Sequence, residues 1–113
     1  MSYVQIKEKA VQAAYEFLAD QEETERAAAA RAMVHRKEYA LKHIEAEEFL
    51  AATGNNLERQ SKARTHPRVE KAREEYFKAV EEDEKCRNHR NKCIAIIDAY
   101  RSQLATTRAQ RKI

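Results

Sequence analysis

Apolar and small residues recur along the first half of the chain at Ile6, Ala10, Ala13, Phe17, Thr24, Ala27, Ala30, Val34, Leu41 and Ile44. The steps are three and four, or the two combined, which is the spacing of one stripe along an α-helix. Ser2 and Gln5 have capping-box spacing at its start, and no Gly or Pro interrupts the stripe before Gly54. The pattern predicts one helix over about residues 3–53, stopped where Gly54 takes a left-handed position after Ala51-Ala52-Thr53. Asn56 is placed to cap a short helix over 57–64, and Pro67 to open the next, where its missing N–H costs nothing. Beyond it, Val69, Ala72, Tyr76, Ala79, Asp83, Cys86, Arg90, Cys93, Ile97, Tyr100, Leu104 and Thr107 alternate without a break in steps of three and four. That is a heptad seam of about five repeats, and it predicts a helix over about 67–108 with a frayed end beyond.

Two long helices and a short connector predict an all-α fold, a long antiparallel two-helix hairpin of coiled-coil type in a single domain over residues 1–113. A reversal centred near residue 60 would set Ile44 against Tyr76, Leu41 against Ala79, Lys37 against Asp83, Val34 against Cys86, Ala27 against Cys93 and Asp20 beside Tyr100. One hairpin cannot cover a second apolar set that includes Val4, Val11, Leu18, Met33, Tyr39, Phe49, Phe77, Val80 and Ile94. A homodimer or higher assembly, two hairpins making four helices, is the expected remedy.

Composition sharpens this picture. One Gly and one Pro in 113 residues are too few for the turns of a multi-stranded sheet. The chain is 42% hydrophobic and 36% charged, as long helices and coiled coils are. No apolar run approaches the roughly 18 residues of a membrane span, and the first residues lack the pattern of a secretory signal, so a cytoplasmic location is expected. Cys86 and Cys93 stand about 10.5 Å apart along a helix, beyond the roughly 7 Å limit for a disulfide. They read as buried thiols of a reducing compartment.

The chemistry-bearing residues form no catalytic constellation. There is no phosphate-cradling Gly-rich loop, no His-Glu-x-x-His pair and no nucleophile elbow, so no enzyme, no catalytic residue and no cofactor is expected. Cys86, His89 and Cys93 share a helix face, but the two sulfurs are too far apart to hold one zinc ion, so no metal is expected. The carboxylate runs at Glu22–Glu25, Glu45–Glu48 and Glu81–Glu84 read as solvated faces. The cations are more suggestive. Between Leu57 and Arg73 six of them stand against Glu58 and Glu70, a net +4 in a chain whose total is +3. With Ser61 and Thr65 as donors and a helix N-terminus at Pro67, this tip offers a surface for phosphates, with Arg59, Lys62, Arg64, Arg68 and Lys71 as the contacts. No aromatic residue lies among them, so contact would be with the nucleic-acid backbone and sensitive to salt.

Three segments carry a family resemblance. They are Glu48-Phe49-Leu50-Ala51-Ala52-Thr53-Gly54 with the Glu58-Arg59-Gln60-Ser61-Lys62-Ala63 that follows, Cys86-Arg87-Asn88-His89-Arg90-Asn91, and Ile97-Asp98-Ala99-Tyr100-Arg101-Ser102-Gln103-Leu104. Over the C-terminal two-thirds the chain resembles small helical-hairpin proteins encoded by tailed bacteriophages among recombination and replication genes. The resemblance implies a phage setting and an accessory role in DNA metabolism, and brings no catalytic residues with it. Two functions are therefore expected. The first is a non-enzymatic phage accessory protein in DNA recombination or replication, touching nucleic acid through its basic tip. The alternative is a protein-binding module or inhibitor that docks on a host or phage enzyme through Tyr39, Phe49, Phe77 and Val80. Partners are a second copy of the chain, the DNA backbone or another protein, and no membrane.

Overall fold

The computed structural model describes residues 7–111. The Ser2–Gln5 capping box and the start of the first predicted helix lie outside them. The elements are α1 (Glu8–Ala19), α2 (Gln21–Ala51), α3 (Asn56–Thr65) and α4 (Pro67–Arg111), with no strand among the described residues. The fold is all-α, as the spacing predicts. No helix is long and apolar enough to cross a membrane among the described residues.

The single helix expected over 3–53 is two. Asp20 parts them with an extended backbone, φ −69° and ψ 119°. Its N–H closes α1 on the Phe17 carbonyl at 3.2 Å, and its Oδ1 accepts the Glu23 N–H at 3.1 Å. Its carbonyl accepts both the N–H and the hydroxyl of Thr24. One residue thus ends a helix and caps the next, and Glu22 and Glu23 place negative charge at the positive end of α2. Replacing Asp20 by Ala leaves the Glu23 N–H without its side-chain acceptor and should destabilise the chain by about 1 kcal/mol. Asn in its place should restore most of that. Thermal melts followed by circular dichroism read both, and an unchanged melting temperature for Asp20→Ala would contradict the cap.

The next break differs in detail from expectation. Gly54 has φ +113°, a value that disfavours any side chain, and a Cβ there would run into the Glu58 carboxylate. Asn55, rather than Asn56, caps α3, its side chain accepting the Glu58 N–H at 2.9 Å. Between α3 and α4 only His66 is non-helical, held extended by the following proline (ψ 133°). Its carbonyl accepts from the N–H groups of Val69 and Glu70, and its Nδ1 accepts the Arg68 N–H at 3.1 Å. Helix α4 then continues to Arg111, through residues 108–111 that the spacing predicts to fray.

The chain divides into two compact units. The first holds the described residues up to Ala27 and those from Lys85 onward. Its core is Val11 and Ala14 of α1 against Cys93 and Ile97 of α4, with Phe17, Leu18, Ile96 and Tyr100 packed around them. The Phe17 ring stacks on His89 at 3.9 Å between centroids, and Arg101 donates to the Tyr15 hydroxyl at 3.3 Å.

The second unit is Ala28–Glu84. Its buried side chains among the described residues are Ala30, Ala63, Val69, Ala72 and Ala79, and Val69 is fully enclosed. Lys37 binds Glu75 at 3.2 Å, not Asp83. That contact lies about two helical turns from the register expected for a reversal at residue 60. In the first unit, Cys93 meets Val11 and Ala14 instead of Ala27, and Asp20 uses its carboxylate as a cap instead of approaching Tyr100. The expected register assumes one symmetric turn. The start of α4 instead lies against Glu47 and Glu48 through Arg68, about one helical turn from the Ala52 that such a turn would set there, so the pairing of the helices is offset.

Candidate functional site

The cations of α3 and the start of α4 are the first candidates. Arg59 donates from Nε to the Phe49 carbonyl at 3.1 Å, and its guanidinium lies 4.5 Å above the Phe49 ring. Lys62 donates from Nζ to the Thr53 carbonyl at 2.8 Å and reaches the Thr53 hydroxyl at 3.5 Å. Both therefore serve the open carbonyls and negative pole at the end of α2. Thr65 donates its hydroxyl back to the Ser61 carbonyl, and the Arg68 N–H at the start of α4 is taken by His66. The donors expected to face a phosphate are in large part committed within the chain. Arg64 and Lys71 are the two of the five named cations whose side chains make no hydrogen bond or ion pair among the described residues.

Arg68 has partners that the expected register does not provide. Its Nη2 meets Glu47 at 2.8 Å and its Nη1 meets Glu48 at 3.0 Å. His43 Nε2 binds the other oxygen of Glu47 at 2.8 Å, and His66 Nε2 binds the other oxygen of Glu48 at 3.3 Å. The result is a chain of alternating base and acid, His43–Glu47–Arg68–Glu48–His66, that fastens the start of α4 to α2. Because His66 Nδ1 accepts an amide proton, Nε2 is the nitrogen that donates to Glu48. The Arg68 hydrogen bond holds the Glu47 carboxyl below its ordinary value, aided by the Arg68 and His43 charges and opposed by burial. Glu47 and Glu48 in turn raise Arg68.

The sign of the pH dependence follows. A carboxyl whose folded value is depressed adds stability above its unfolded value, and that stability is lost as pH falls through the folded one. For Glu47 the loss should begin below about pH 4.5, its unperturbed value. Melts between pH 7 and pH 3 should show the chain weakening in that window. Arg68→Ala should flatten the acid limb, and an equally steep limb in that variant would refute the assignment.

The four residues expected to bind a protein partner differ in exposure. Tyr39 is 73% exposed, and its ring lies parallel to that of His43 at 6.2 Å. Phe77 is 54% exposed and contacts the Tyr76 ring. Val80 is half-buried, and Phe49 is half-buried beneath Arg59. No ring contact joins Tyr39, Phe49 and Phe77 among the described residues. Phe49 does line an open cleft of about 510 Å³ with Ala46, Leu50 and Ala63, rimmed by Lys42, Glu45, Gln60 and Arg64.

Cys93 is buried in the apolar core of its unit, Cys86 is half-buried, and both are free thiols. No group of three or more His, Cys, Asp or Glu is arranged to hold a metal among the described residues. Comparison with family models, characterised proteins and solved structures finds no match.

The acid–base chain is the feature that sequence reasoning missed, and a signal for it existed. Glu45, Glu47 and Glu48 lie in the last two turns of α2, where a carboxylate opposes the helix dipole. Acids there call for nearby cations, and the next six cations along the sequence begin at Arg59.

Proposed function

We propose that this chain is a non-catalytic helical interaction module. It folds as an antiparallel helical hairpin and works by associating through exposed helix faces, foremost with a second copy of itself in a four-helix assembly. One observation carries this reading. The unit Ala28–Glu84 buries four alanines and one valine, while Met33, Tyr39, Leu50, Leu57 and Phe77 remain exposed. Alanines contribute little apolar area each, and a unit that leaves larger apolar groups in water gains by covering them. Light scattering across the micromolar range should give twice the chain mass of 13.2 kDa. A monomer throughout would refute self-association.

Nucleic-acid contact is the second reading, supported by the unpaired side chains of Arg64 and Lys71 and by the family resemblance. A DNA titration at two salt concentrations tests it. Binding at low salt that is lost in Arg64→Ala/Lys71→Ala would favour this reading, whereas equal binding by that variant would remove its basis. A role in phage recombination or replication rests on the resemblance alone.

A further inference from the structure

His66 makes two side-chain contacts that a single state of its ring can satisfy together. It is the non-helical residue between α3 and α4, placed where the first N–H groups of α4 need acceptors. Its Nδ1 accepts the Arg68 N–H at 3.1 Å, so the imidazole serves α4 as Asn55 serves α3 and Asp20 serves α2. Its Nε2 meets Glu48 at 3.3 Å, a contact that needs a donor. An acceptor at Nδ1 and a donor at Nε2 describe the neutral ring with its proton on Nε2.

Asn is a cap whose acceptor does not depend on pH, whereas imidazole is the side chain that ordinarily changes charge between about pH 5 and pH 8. Nε2 already holds a proton, so a second one has to enter at Nδ1. There it points at the Arg68 N–H, donor against donor. The charged ring would also stand at the positive end of the α4 dipole. The charges around it favour the proton's arrival on one side and oppose it on the other. From α2 come Glu48 and, behind it, Glu47; from α4 comes Arg68, whose guanidinium is held on both carboxylates. Glu70 and Arg73 are the next charges along α4, and Arg73 donates to the Arg64 carbonyl at 3.4 Å. Of the cations at the end of α3, Lys62 is turned to Thr53. The His66 side chain is 44% exposed, so solvent reaches it directly.

We propose that His66 is a proton-operated latch on the first turn of α4. Neutral, it caps that turn and ties it to α2 through Glu48. Protonated, it releases the Arg68 N–H and keeps Glu48, now as a charge-assisted bond. The joint thus exchanges two neutral-ring contacts for one ionic contact, and the first turn of α4 frays without leaving α2. That turn carries Val69, the fully enclosed side chain of its unit, so the proton acts where α4 is seated. His43 differs, because it meets Glu47 through Nε2, which can donate whether the ring is neutral or charged.

Nuclear magnetic resonance of the full chain at about pH 8 and about pH 5 tests the latch, since these values bracket the usual range of an imidazole. At the higher pH the ring nitrogens of His66 should show a bare Nδ1 and a proton on Nε2. On going to the lower pH, protection of the Arg68 amide, corrected for the intrinsic pH dependence of exchange, should fall by about fivefold, the factor for losing one cap. His66→Asn keeps a capping oxygen that does not titrate, and the Arg68 amide of that variant should hold its protection throughout. His43→Gln should leave the fivefold step in place. A proton on Nδ1 at the higher pH, an Arg68 amide indifferent to pH, or a step that survives in His66→Asn would overturn the proposal. A step that vanishes in His43→Gln would move the proton to the other end of the acid–base chain and overturn it equally.

Discussion

Replacing Ile97 by Ala is expected to destabilise the chain by about 3 kcal/mol, in the range for buried branched side chains cut to a methyl. Ile97 is 6% exposed and is the largest of the four buried residues in its cluster. The other buried members are Val11, Ala14 and Cys93, and the larger Phe17, Leu18, Ile96 and Tyr100 packed around them would fill the space only in part. The effect should also be visible in helix content. Helix α1 has 12 residues, at or below the length at which an isolated helix holds its shape in water, and Val11 and Ala14 are its buried contacts. Denaturant unfolding followed by circular dichroism should show both a lower midpoint and a loss of native ellipticity in proportion to α1. Ile94→Ala, at a 45% exposed position of the same helix, should cost under about 1 kcal/mol. Equal losses for the two would show that the α1–α4 cluster does not hold α1.

Val69→Asp should be more severe. Val69 is fully buried in the first turn of α4. A carboxylate there would be enclosed without a cation, a situation that costs on the order of 4 kcal/mol. The isosteric loss alone, Val69→Ala, should cost about 2 kcal/mol. The aspartate variant should release the start of α4 from α2 and with it the His43–Glu47–Arg68–Glu48–His66 chain. Amide exchange should then be fast from α3 through the first turns of α4, while the amides of α1 keep their protection. Uniformly fast exchange would mean that the two units unfold as one.

The seam of α4 was legible because it obeys a strict rule over many turns. Val69, Ala72, Ala79, Cys93 and Ile97 all belong to it and all are buried. Gly54 and Pro67 likewise stand at breaks that their own backbone chemistry requires. The break at Asp20 was harder to read, because a one-residue interruption barely disturbs a periodic pattern. Phe17 and Thr24 stay in step across it, and the cue lies in Asp20-Gln21-Glu22-Glu23, which has the acceptor and acidic first turn of a helix start. Register was illegible for another reason. Small residues fit opposite almost anything, so a row of alanines accepts several offsets that differ little in packing. The fate of the cations could not be read without that register. Arg59 and Lys62 look like free charges until α3 is laid beside the carbonyls that they meet, and Arg68 until Glu47 and Glu48 are placed before it.

An alanine seam also fixes a distance. Helices that meet through methyl groups can bring their axes to the short end of the usual range of about 8–10 Å. Ala30, Ala63, Ala72 and Ala79 are all buried, and a close approach of this kind leaves little depth for anything longer. Truncation is therefore not the main hazard at these positions, since little remains to remove. Growth is. A leucine at any of them would act as a wedge, and because a helix is stiff, a separation forced at one turn would be felt at its neighbours. Variation tolerated in the Ala28–Glu84 unit should thus be asymmetric, with glycine or serine accepted on its inner rows more readily than any larger apolar residue.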